Sequence, residues 1–131
     1  MAELLVPISP GELIDKITIL EIKSERMTDA AKLRNVRAEL DALNATWRAS
    51  PLSANDVDAE WRALRRVNEQ LWDIEDRIRD KERAAAFDAA FIELARSVYV
   101  TNDERAAIKR RINTRLGSAL IEEKSYAEYR R

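Results

Sequence analysis

Residues 5–26 read LVPISPGELIDKITILEIKSER, and this stretch decides the fold. Ser9-Pro10-Gly11-Glu12 opens it with the chemistry of a helix start. A serine at the N-cap accepts a hydrogen bond from the amide three residues on, and a glutamate there can reach back to the serine amide. Pro10 takes the first helical position, where its missing N–H costs nothing. Ile8 is placed to pack on Leu13 as a staple. The helix is predicted from residue 10 to about Arg26. At about 100° per residue, Leu13, Ile17, Leu20, Ser24 and Met27 share one stripe. Ile14, Ile19 and Ile22 lie off it, the last two among Asp15, Thr18 and Lys23. A helix apolar on opposing sides is buried on both. The first helix is therefore expected at the centre of the fold, or shared with a second copy of the chain.

Outward from this helix, residues 12–50 and 52–116 contain neither glycine nor proline. Long unbroken stretches rich in Ala, Leu, Arg and Glu favour helix throughout. Thr28 or Asp29 can cap a second helix, whose seam is Leu33, Val36, Leu40, Leu43 and Trp47. Ser50-Pro51-Leu52-Ser53 ends it with turn chemistry. Asn55 or Asp56 can cap a third helix, with the seam Val57, Trp61, Leu64, Val67, Leu71, Ile74 and Ile78. The short loop predicts that these two helices form a long antiparallel, coiled-coil-like hairpin. Trp47 and Trp61 would close its end, and Trp72, off the seam, would touch a further helix or a second chain. The spacing of Phe87, Phe91, Leu94 and Val98 carries helix to about Tyr99, and at Ala84–Ala86 the helix either continues or bends. Thr101-Asn102-Asp103-Glu104 reads as a second capping box, opening a last helix on Ile108, Ile112 and Leu116. Gly117 stops it. The segment from residue 118 fits a short last helix or a docked extended segment. The expectation is one all-α domain over residues 1–131, with the N-terminal helix central and the C-terminal helices packed along the hairpin.

The chain has 23 Lys and Arg against 24 Asp and Glu, a net charge of −1. That balance speaks against nucleic acid or an anionic membrane as a partner. Without cysteine or histidine, the commonest metal ligands and the commonest general base are missing, so no metal and no cofactor is expected. The N-terminus lacks the pattern of a signal peptide, and no apolar run reaches the ~18 residues of a membrane span. A cytoplasmic protein is the expectation.

Four clusters could carry chemistry. At the start of the first helix, Ser9, Gly11 and Glu12 frame free amides that could hold an anion, unless the cap consumes them. On the same helix, Glu12, Asp15, Lys16 and Lys23 form a charged face, either solvated or lining a half-dry groove beside Ile19. Further on, Lys109-Arg110-Arg111 with Arg115 could clamp an anion or simply favour a helix C-terminus, and Asn113 lies among them. Last, Glu122, Glu123, Lys124 and Tyr126 would make a polar site if the tail folds back, and otherwise a solvated tail.

The opening VPISPGELIDKITILEIKSER, followed by KLRNVRAEL, resembles the start of a family of small bacterial all-helical proteins, a domain of unknown function. YVTNDERAAIKRRIN and GSALIEEKSY are similar to that family's closing motif, so the resemblance covers nearly the whole chain. It implies a setting of surface-polysaccharide and lipopolysaccharide assembly, with a glycosyltransferase as a possible partner, and it names no reaction. The leading expectation is a homodimeric binding or assembly protein, an accessory in cell-surface glycan synthesis. The alternative is a small enzyme or ligand-binding protein for an anionic molecule such as a nucleotide sugar. It would use Lys16, Lys23 and Arg110 for the anion and Glu12 or Glu122 as acid or base.

Overall fold

The computed structural model describes residues 2–130, and every regular element among them is helical. Four α-helices follow in order: α1 Pro10–Arg26, α2 Ala30–Ala49, α3 Asp58–Arg83 and α4 Ala89–Arg115, with a 3₁₀ turn Pro51–Ala54 between α2 and α3. The helix starts explain themselves locally. Ser9 Oγ accepts from the Glu12 amide at 3.1 Å, Asp29 caps α2 through the Lys32 amide at 2.9 Å, and Asp88 caps α4 through the Phe91 amide at 3.0 Å.

Helix α1 is the hub, the one helix in close contact with all three others. Ile14 is fully buried in an apolar cluster with Val57, Leu64, Val67, Ile108 and Ile112 of the α3–α4 side. Leu13, Ile17 and Leu20 are buried as well, outside that cluster, and α1 is also in contact with α2. Ile22 is 1% exposed and Ile19 half-buried. The expected sandwich is present, and it is completed within one chain.

Three expectations are corrected. First, α2 and α3 do not pack on each other. Because α1 carries apolar residues on both flanks, it inserts between them. The hairpins are α1–α2 and α3–α4. Trp47 and Trp61 do meet across the turn, ring centroids 5.9 Å apart. Second, the chain breaks at residues 84–88 and then runs unbroken through Thr101. Thr101-Glu104 therefore caps nothing, and Thr101 is buried inside α4. Third, α3 starts after Val57 with no side-chain cap bond in the usual geometry; Asp56 Oδ1 instead accepts from the Asp58 amide at 3.0 Å. At the other end of α4, Gly117 has φ 67°, and the Ser118 amide returns to Asn113 O at 2.8 Å, a Schellman stop. The segment 118–130 holds no helix and lies extended against α4.

Candidate functional site

The polar residues of α1 do not face water as one charged side. Asp15 is 1% exposed, in the interior where α1 meets α3 and α4. A buried carboxylate is tolerable only when paired and hydrogen-bonded. Here Asn68 Nδ2 donates to Asp15 Oδ1 at 2.9 Å, Arg105 Nε donates to the same oxygen at 2.9 Å, and Arg105 Nη2 donates to Oδ2. The pairing is bidentate, the stronger and more directional form. Thr18 completes the network. Its Oγ1 accepts from Asn68 at 3.0 Å and donates to Asp15 O at 2.8 Å.

One turn toward the start of α1, Glu12 meets Lys109. The ammonium lies 2.7 Å from Glu12 Oε2, 2.7 Å from Glu122 Oε2 and 3.9 Å from Asp15 Oδ2. Burial pushes the Lys109 pKa down, but the Glu12 and Glu122 carboxylates and the nearby Asp15 charge outweigh it and hold it above the ordinary lysine value. The Arg105 guanidinium is likewise raised, chiefly by its bond to Asp15 against the pull of burial.

Among the sequence candidates, Gly11, Glu12, Asp15, Asn113 and Glu122 come together around Lys109, and Ser9 caps the helix beside them. Their roles differ from those expected. The α1 amides are not free for an anion: Glu12 N bonds Ser9, and Gly11 N bonds Asn113 Oδ1 at 2.8 Å. Glu12 does not reach back to Ser9; its carboxylate is spent on Lys109. Gly11 serves the approach of α4, not of a ligand, since a Cβ there would meet Lys109 O at 2.6 Å. Lys16 is half exposed, 4.0 Å from Glu12. Lys23 lies about 16 Å further along α1 than Glu12. The basic cluster disperses: Arg110 pairs with Glu123 at 2.8 Å and Arg115 with Glu60 at 2.8 Å. Lys124 reaches Asp103 at 3.8 Å, and Tyr126 is exposed.

Sequence reasoning missed Arg105, Asn68 and Thr18, which hold Asp15. A signal existed. Arg105, Lys109 and Asn113 recur at i, i+4 and i+8, a polar stripe complementary to Gly11, Glu12 and Asp15.

Beside this network a cleft of about 460 Å³ opens between α1, α3 and α4. Ile19, Leu71 and Trp72 give it apolar walls. Asn68, Asn102 and Arg105 bring in the edge of the buried network, and Glu75, Asp76 and Arg79 line it from α3. The Arg26 guanidinium sits 5.7 Å from the Trp72 ring centroid and is held by Asp73 at 2.7 Å. Trp72 therefore touches α1, the further helix expected of it, and also borders open space.

A model of a family of unknown function, DUF6165, matches residues 4–129. The chain belongs to that family. No curated protein and no solved structure matches it. None of the four helices is long and apolar enough to cross a membrane, and no acidic cluster suited to a metal is found among the described residues.

Proposed function

We propose that this chain is a binding protein, a cytoplasmic accessory in bacterial cell-surface glycan assembly, and that a saccharide-bearing ligand occupies the Trp72 cleft. The observation that carries the reading is the cleft's make-up: an indole and two aliphatic side chains beside amides, carboxylates and guanidinium groups. A sugar ring presents C–H faces and hydroxyl edges. An indole suits the first, and mixed donors and acceptors suit the second. Arg105 is neutralised by Asp15 and Arg79 pairs with Glu75, so neither guanidinium is left over for an anion there, which fits a ligand uncharged where it is held. The likeness of the two end motifs to proteins of surface-polysaccharide settings supports the same assignment, with a glycosyltransferase as the partner it implies.

Binding has more support than acid–base catalysis. Glu12 and Glu122 both bond to Lys109, and Asp15 is fully engaged. A general base needs a lone pair within reach of substrate. Lys16, Lys23 and Arg110 sit apart, so the enzyme alternative has no shared pocket to support it. The homodimer stands as part of the proposal on a new footing. Both sides of α1 are covered within the chain, whereas Leu4, Leu5 and Val6 are 93%, 92% and 67% exposed.

The test is thermal stability against nucleotide sugars and neutral oligosaccharides at millimolar concentration. A ligand at a hundred times its Kd stabilises by about 2.7 kcal/mol, a shift of several degrees. The expected result is such a shift with at least one saccharide, lost in Trp72→Ala. No shift across the panel would overturn the reading.

A further inference from the structure

The Lys109 ammonium is 8% exposed, yet one of its two close partners comes from the least anchored part of the molecule. Glu12 belongs to α1. Glu122 belongs to the extended tail, exposed throughout residues 119–130. The tail is held by exposed charge pairs and by Tyr129, whose ring meets Tyr99 at 4.8 Å. Exposed pairs of this kind hold weakly and are screened by salt. Two cavities, of about 280 and 250 Å³, flank the tail, and Lys109 and Glu122 line both of them. The Glu122 carboxylate thus stands between two hollows with a buried cation behind it.

The charges point the same way. Without the tail, two carboxylates, Glu12 and Asp15, face three cations, Arg105, Lys109 and Arg110. One positive charge is left over. The tail's Glu122 and Glu123, offset in part by its Lys124, cancel this charge. An anion excluded by the closed form gains a net attraction once the tail is released.

We propose that Lys109 and Arg110 form an oxyanion site, for a carboxylate or phosphate group of a ligand, and that Glu122 and Glu123 occupy it as a built-in competitor. The tail is then a strap that an anionic ligand displaces. The site lies on the Lys109 side of Arg105 and does not depend on the saccharide reading of the Trp72 cleft.

The experiment uses the full chain, wild type and Glu122→Gln/Glu123→Gln, titrated calorimetrically with inorganic phosphate and with citrate. Sodium chloride at matched ionic strength is the control. The tail variant is expected to bind at least one probe about tenfold more tightly or better, as follows from removing the two competing carboxylates. Arg110→Ala in the same background should reverse the gain. In the wild type, that probe should also speed tryptic cleavage after Lys124 beyond the salt control. The probe that gains distinguishes phosphate from carboxylate. Equal affinity of wild type and tail variant for both probes would overturn the proposal, and so would tail cleavage unchanged by either anion.

Discussion

At Gly11 α1 and α4 come close, and the missing side chain allows it. A Cβ there would lie 2.6 Å from Lys109 O and 2.8 Å from Asn113 Oδ1. The first neighbour is helix backbone and cannot swing aside. Gly11→Ala is expected to destabilise by about 1–3 kcal/mol, the usual range for overpacking. Urea denaturation measures it, and a loss under ~0.5 kcal/mol would mean that α4 yields freely. Lys109 gives a pH dependence. Its folded-state pKa is raised, so its stabilisation is complete below the unfolded lysine value of about 10.4 and is lost as pH rises through the folded value. Unfolding free energy should fall along that alkaline limb, and Lys109→Met should flatten it. Equal slopes in the two proteins would contradict the ion cluster. The sequence made the individual residues visible but not their pairing. Ser9, Glu12 and Asp15 announce a helix start with acidic groups, and nothing local says that Asp15 turns inward. Only its partner Arg105, ninety residues on, determines that.

Elements were legible where their boundaries are set locally. Ser9-Pro10 and Ser50-Pro51 act through their own side chains and fixed φ angles. The Thr101-Glu104 tetrad has the same composition as a cap, but nothing before it ends a helix, so α4 continues and buries Thr101. The real break carries no glycine. Ala85 has φ 52°, and the Ala86 amide returns to Lys81 O at 2.9 Å in a Schellman stop. An alanine in the left-handed region costs about 1 kcal/mol. Ala85→Gly is therefore expected to stabilise by roughly 0.5–1 kcal/mol, even though glycine loosens the unfolded chain. Thermal or urea unfolding would show it, and a destabilised variant would contradict the strain. Helix α2 packs on α1 and not on α3, because a seam specifies an apolar partner without naming it. The second apolar flank of α1 won the competition for that seam.

At the scale of the whole molecule, the all-α class followed from the absence of breakers, and the central helix from its two apolar flanks. The order of packing followed from neither. The most exposed large apolar side chains are Leu4 and Leu5 of the N-terminal arm. If the proposed dimer forms through this arm, Leu4→Ser/Leu5→Ser converts it to monomer in sedimentation equilibrium without lowering the melting temperature. An unchanged mass would remove the arm as an interface. The central claim is that α1 is gripped from both sides and opens only when everything opens. Native-state hydrogen exchange tests it directly. The amides of residues 14–20 should exchange at the free energy of global unfolding, and those of α2, where only Val36 is buried, at a lower one. Exchange of residues 14–20 by a cheaper local opening, while α3 and α4 stay protected, would contradict it.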